Sequence, residues 1–298
     1  MDGEVQRGAD LAFSFVYWFF LLAGTAYLLA VLATPLLIQS DDRLAVGFSA
    51  LLYIANVYMC MQLPERSFQL FGQFLSLDAR VLAMVAGSML AFPFALLRDR
   101  MPPFTTSMWF PIAGVALLGI DGTTQLFGMR ESNNSLRLFT GLLAGFAVVF
   151  FLLYQLHEKR KLYSGPLVHA SALFALVVVA VLAASYYVGG FYLTKEKAIR
   201  MASADATAQY IEAFYIAPNA FAHSVRHDSY LRTYSDPILS DIARMRTQEH
   251  PYGAWAVLLL DEPPKHEGKH AFISGGKGTY YYYDAWSGEL VGRFEHAS

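Results

Sequence analysis

Six stretches of this chain are almost free of charged residues, and each is close to the about 20 apolar residues that an α-helix needs to cross a bilayer. They predict six transmembrane helices: Leu11–Ile38, Leu44–Met61, Val81–Leu97, Met108–Phe127, Leu136–Leu156 and Pro166–Leu193. Composition agrees, with 55% apolar residues, 15% charged residues and a mean hydropathy of +0.36. The first stretch lacks a basic start and a small-residue cleavage site, so it reads as a retained span.

After Leu193 the character changes. Residues 194–298 hold 13 of the 24 acids, 11 of the 22 lysines and arginines and six of the eight histidines. The expected fold is therefore a six-helix membrane domain over 1–193, followed by a soluble α+β domain over 194–298. A net charge of −2, evenly split along the chain, leaves neither a nucleic-acid footprint nor a polybasic lipid footprint expected. The single cysteine, Cys60, forbids an intramolecular disulfide and reads as a small buried hydrophobe.

Arg43, Arg98, Arg100, Lys159, Arg160 and Lys161 fall in alternate short loops, against Arg7, Arg66, Arg80 and Arg130 on the other side. The positive-inside rule puts the first set in the cytoplasm. Six spans then leave both termini extracytoplasmic at a plasma membrane.

Asp121 and Gln125 sit one helical turn apart in an apolar stretch, so they share a face. Polar groups at that depth need partners. Arg66, Arg80 or Arg130 can neutralise Asp121 from the same end, and Glu65, Asp78, Glu131 and Arg137 complete a candidate polar site. Two readings stand: a pocket holding a charged headgroup or an ion, or a buried Asp–Arg clamp between helices. Asn134 or Ser135 is expected to cap the fifth helix, and Pro64 to break the second. Trp18, Tyr17, Tyr186 and Tyr187 suit interfacial belts, and His169 in the sixth span a hydrogen bond to a neighbouring helix.

The strings Pro64-Glu65-Arg66-Ser67-Phe68 after Cys60-Met61-Gln62, Asp78-Ala79-Arg80, Asp121-Gly122-Thr123-Thr124-Gln125 and Arg130-Glu131-Ser132-Asn133 carry a resemblance. They resemble an uncharacterised family of bacterial and archaeal polytopic membrane proteins, classed as a domain of unknown function. The family's pattern has a histidine where Met61 stands, and cysteine-rich positions where Asp78 and Val81 stand. A Cys/His cluster would imply soft metal or thiol chemistry; with only Cys60 kept, no metal site is expected here.

Thr194 followed by Lys195-Glu196-Lys197-Ala198 reads as a capped helix start, with helical character expected to about Ala222 and a further helix from Ser235-Asp236-Pro237. Strands are expected at Ala254–Leu260, Lys269–Ser274, Thr279–Asp284 and Glu289–Phe294, turning at Gly275-Gly276 and Trp286-Ser287-Gly288. Alternation puts two of Tyr280–Tyr283 in the core and two outside. His223 and His227, with Asp228 or His250, are a solvated helix face rather than a metal site. The opening helix and the Asp284-Ala285-Trp286-Ser287-Gly288-Glu289 hairpin resemble the ends of a PepSY domain, which implies an exported, partner-binding module.

No nucleophile–base pair, phosphate loop or cofactor motif is present, so no cofactor is expected. The function expected first is a non-catalytic integral membrane protein, an accessory or structural subunit contacting the bilayer and other membrane subunits, with a possible bound lipid. The alternative is an outer-leaflet enzyme acting on a lipid-linked substrate, with Asp121 and Glu65 or Glu131 as acid and base. A transporter is disfavoured, because the polar groups cluster at one end.

Overall fold

Residues 2–37 form one continuous helix, α1 (Asp2–Leu37), in the computed structural model, which describes residues 2–60, 62, 66–97, 100–127, 133–204, 208, 210–216, 252–261 and 278–296. The molecule is mostly helical with a small antiparallel sheet region. The helices continue as α2 (Arg43–Asn56), α3 (Ala79–Leu96), α4 (Trp109–Leu126), α5 (Asn134–Lys159), α6 (Leu167–Gly189) and α7 (Lys195–Ser203). Four are long and apolar enough to cross a membrane: α1 from Gly3, α3, α5 and α6. At 14 residues α2 spans about 21 Å, short of a hydrocarbon core of about 30 Å. Helix α4 has 18 residues, but its last turns carry Asp121, Thr123, Thr124 and Gln125.

The chain divides into two compact units: residues 1–32 with 78–180, and residues 33–77 with 181–298. In the first, α3, α4 and α5 pack together. Small residues let α3 and α5 touch backbone to backbone: a Cβ on Gly87 would lie 2.1 Å from the Leu142 carbonyl, and one on Gly145 2.1 Å from the Met84 carbonyl. Gly141 faces the Arg80 carbonyl in the same way. Further along, Phe92, Phe150, Leu153 and Tyr17 form an apolar core. Tyr17, expected in an interfacial belt, is 1% exposed there and donates to the Phe92 carbonyl at 2.7 Å. Trp18 donates to the Tyr163 carbonyl at 3.2 Å. His169 is exposed, without the expected hydrogen bond to a neighbouring helix among the described residues.

The second unit is built on two sheets. Strands β1 (Ser67–Leu70) and β2 (Gln73–Asp78) form a hairpin whose two-residue turn, Phe71-Gly72, has both φ values positive, as a type I′ turn demands. Strands β3 (Tyr210–Ile216), β4 (Ala254–Leu260), β5 (Gly278–Asp284) and β6 (Leu290–His296) form an antiparallel meander in chain order. Helix α7 starts at Thr194, whose hydroxyl accepts from the Lys197 amide, but it ends at Ser203. The helix expected to reach Ala222 gives way to β3, because Tyr210-Ile211-Glu212-Ala213-Phe214-Tyr215-Ile216 is rich in aromatic and β-branched residues. Strand β4 is buried along its whole length, and all four tyrosines at 280–283 are buried rather than alternating in and out. Asp284 Oδ1 accepts from the amides of Trp286 and Ser287, fixing the turn into β6.

Helix α2 belongs to this second core. Val46, Ala50 and Tyr53 cluster with Tyr192, Tyr215, Trp255, Val257 and Tyr281. Gly47 sits against the Ser185 carbonyl and Gly189 against the Arg43 carbonyl, so α2 crosses the last turns of α6 with backbones touching. The Arg43 guanidinium lies 4.3 Å from the centre of the Tyr186 ring. Pro64, the Ser235–Pro237 helix start, the 269–274 strand, Gly275-Gly276, His223, His227, Asp228 and His250 lie outside the described residues.

Candidate functional site

Asp78 ends β2 and caps α3, its side chain accepting from the Val81 amide at 2.8 Å. That cap fixes the first turn of α3, where Arg80 follows. Arg80 Nη2 donates to Asp121 Oδ2 at 2.5 Å and reaches Gln125 Oε1 at 3.5 Å. Asp121 and Gln125 meet it from one face of α4, as their spacing predicts. The carboxylate is 1% exposed and the Arg80 side chain 25% exposed. The pair is thus a buried ion pair whose cation keeps one edge open, and Arg80 Nε is buried without a hydrogen-bond partner. Thr123 and Thr124 return their hydroxyls to carbonyls of their own helix, at Gly119 and Ile120, and add nothing to the pair.

Two of the other expected members have contacts of their own among the described residues. Asp78 serves as a helix cap. Arg137 is buried in the first turn of α5 and donates to Asn134 Oδ1 at 2.9 Å. Arg66 lies at the start of β1 in the second unit. Glu65, Arg130 and Glu131 lie outside the described residues. The fifth helix is capped by Asn133, which accepts from the Leu136 amide at 2.8 Å, and not by Asn134 or Ser135.

The sequence reading missed a second polar knot, within the second unit. Ser76 of β2 is fully buried; its hydroxyl accepts from Asn56 Nδ2 at 3.0 Å and its carbonyl from Gln62 Nε2 at 3.1 Å. Gln62 also donates to the Tyr53 carbonyl at 2.7 Å, and Cys60 Sγ lies 3.9 Å from the Ser76 carbonyl. Cys60 and Gln62 thereby tie the end of α2 to β2. Isolated polar letters beside an apolar run were its only trace in the sequence.

A bundle of several apolar helices held by glycine contacts and the buried Arg80–Asp121 ion pair defines an integral membrane protein. The family described as "Predicted membrane protein (DUF2085)" matches residues 60–151, which contain α3, α4 and the first two thirds of α5. An uncharacterised protein of Methanocaldococcus jannaschii is 39% identical over 110 residues, covering 35% of this chain and 68% of that protein. An uncharacterised protein of Methanothermobacter thermautotrophicus is 38% identical over 90 residues, covering 30% of this chain and 78% of that protein. The chain belongs to the DUF2085 family of predicted membrane proteins. No solved structure matches it.

Proposed function

We propose that this is a non-catalytic integral membrane protein, an accessory subunit of a larger membrane complex that docks its partner through the domain formed by the C-terminal sheet. One observation carries this reading: Asp121, the acid that an enzyme at this site would use, is 1% exposed and already paired with Arg80 at 2.5 Å. An acid locked in that way holds helices together and has no room for a substrate proton. Docking is supported by a row of rings: Tyr187 packs on Phe191, Phe191 stacks on Trp286 at 5.6 Å, and Trp286 stacks on Tyr252 at 4.5 Å. Tyr187 and Phe191 are 64% and 46% exposed, and rigid exposed aromatics are what interfaces favour.

Sidedness follows from α2. We leave it out of the crossings for its 14 residues and its place in the second core. We count α4 beside α1, α3, α5 and α6, although α4 is less apolar than those four, because it runs along α5 with Gly114 against Ala144 and Ala147. An odd number puts the termini on opposite sides, with Arg7, Arg98, Arg100, Lys159, Arg160 and Lys161 together on one of them. The positive-inside rule makes that side cytoplasmic, so the carboxy terminus is extracytoplasmic and the amino terminus is not.

Mild-detergent extraction from source membranes tests the subunit role. The expected particle is larger than the 33.2 kDa chain with its detergent, and Phe191→Ser with Tyr187→Ser dissociates it without lowering the monomer's Tm. A lone monomer overturns the reading. The open edge of Arg80 favours a second one, an outer-leaflet enzyme whose arginine grips an anionic group. That reading requires Asp121→Asn to abolish turnover of a lipid-linked substrate while leaving the fold intact.

A further inference from the structure

A cavity of about 850 Å³ opens between the first turns of α1 and the end of α5, at the far end of α5 from the Arg80–Asp121 pair. Arg7, Lys159, Arg160 and Lys161 line it, together with Asp10 and Glu158. We propose that it binds a phosphate group, supplied by the headgroup of an anionic membrane lipid. This inference is independent of the role given to Asp121.

Four cations outnumber two acids at the mouth, and of the acids only Glu158 is exposed. Asp10 is 3% exposed and turned to its own neighbours, 3.4 Å from Gln6 Nε2 and 4.0 Å from Arg160 Nη1. Arg160 also donates to Gln6 Oε1 at 3.1 Å, so Asp10 and Gln6 hold its guanidinium in place. Arg7, Lys159 and Lys161 remain exposed with no ion pair among the described residues. Three exposed cations and one positioned guanidinium facing a single opening suit an anion with several oxygens, and a phosphate offers them.

The wall is built before any ligand arrives. Ser14 Oγ accepts from the Tyr163 amide at 2.6 Å and donates to the Asp10 carbonyl at 2.8 Å. Trp18 ties down the Tyr163 carbonyl one turn deeper. A tryptophan and a tyrosine at this level mark the membrane–water boundary, the height at which lipid phosphates lie. Basic pockets of this kind beside spanning helices suit anionic headgroups.

The test uses purified full-length chain in phosphatidylcholine nanodiscs doped with phosphatidylglycerol, read by native mass spectrometry and Tm, with inorganic phosphate as a separate arm. The expected result is at least tenfold retention of phosphatidylglycerol over phosphatidylcholine, with a raised Tm. Lys159→Ala with Lys161→Ala removes the preference, and the equally charged change Lys197→Ala with Arg200→Ala, on exposed residues of α7, keeps it. If inorganic phosphate alone raises Tm as much, and only while Lys159 and Lys161 are present, the phosphate site stands with a soluble source. Equal retention of both lipids with no response to phosphate, or a preference surviving the loss of both lysines, overturns the proposal.

Discussion

Asp121 shows how one residue type can carry either chemistry or cohesion, depending on its partner. Removing it leaves the Arg80 guanidinium, three quarters buried, without its counter-ion, so Asp121→Leu is expected to cost about 3 kcal/mol. Arg80→Met with Asp121→Leu recovers most of that loss, and a double-mutant cycle of unfolding in detergent measures the coupling. The sequence showed that Asp121 needs a cation from its own end of the bundle but left Arg66, Arg80 and Arg130 open, because loop and helix-start arginines look alike without the backbone. Asp78 was not legible as a cap, since a helix start and a binding carboxylate look alike until the backbone is seen. The tyrosines of the second core were also illegible. The hydroxyls of Tyr192 and Tyr215 meet each other and both meet the Tyr252 carbonyl, at 2.8 and 2.9 Å, so two protons serve three contacts. Burial pushes both phenols well above their ordinary value of 10.0. A raised folded pKa leaves stability whole below pH 10 and drains it as pH rises further. Lys195 runs the other way: burial lowers its pKa from 10.5, so its contribution is full above that value and lost as pH falls through the lowered one. Two phenols outweigh one amine, so Tm is expected to fall steeply above pH 10, and less steeply in Tyr192→Phe with Tyr215→Phe.

Between elements, glycine decides how close helices come. Gly141 and Gly145 lie one turn apart on α5 and face carbonyls of α3, where a side chain has no space to enter. Gly145→Val is expected to cost at least about 2 kcal/mol through forced separation. Gly119→Ala in α4 meets nothing within 4 Å and is expected to stabilise by roughly 0.5–1 kcal/mol through helix propensity. Thermal melts of the two variants check the contrast in sign. Periodicity revealed the helices well, and α1, α3, α4, α5 and α6 lie where apolar runs place them. It gave α2 as the longer Leu44–Met61, whereas the helix is Arg43–Asn56 and packs on residues far away in sequence. β3 was misread for a related reason. A seven-residue segment with six aromatic and aliphatic residues, next to a strong helix start, reads as its continuation until β4 pairs with it.

The whole chain interleaves its two units, and the composition step at Leu193 conceals this. The second unit takes residues 33–77 as well as 181–298. Its sidedness is open to direct test. In a Cys60→Ala background, a single cysteine at Gly3 is expected to be shielded from impermeant maleimide in intact cells, and one at Ser287 to be labelled; the reverse pattern refutes a cytoplasmic amino terminus. The interleaving also imposes an order of assembly. A ribosome releases Val46, Ala50 and Tyr53 more than a hundred residues before Trp255 and Tyr281 exist to cover them. During synthesis that greasy patch stays bare, and a chain cut short after α6 keeps it so, a natural mark for membrane quality-control proteases.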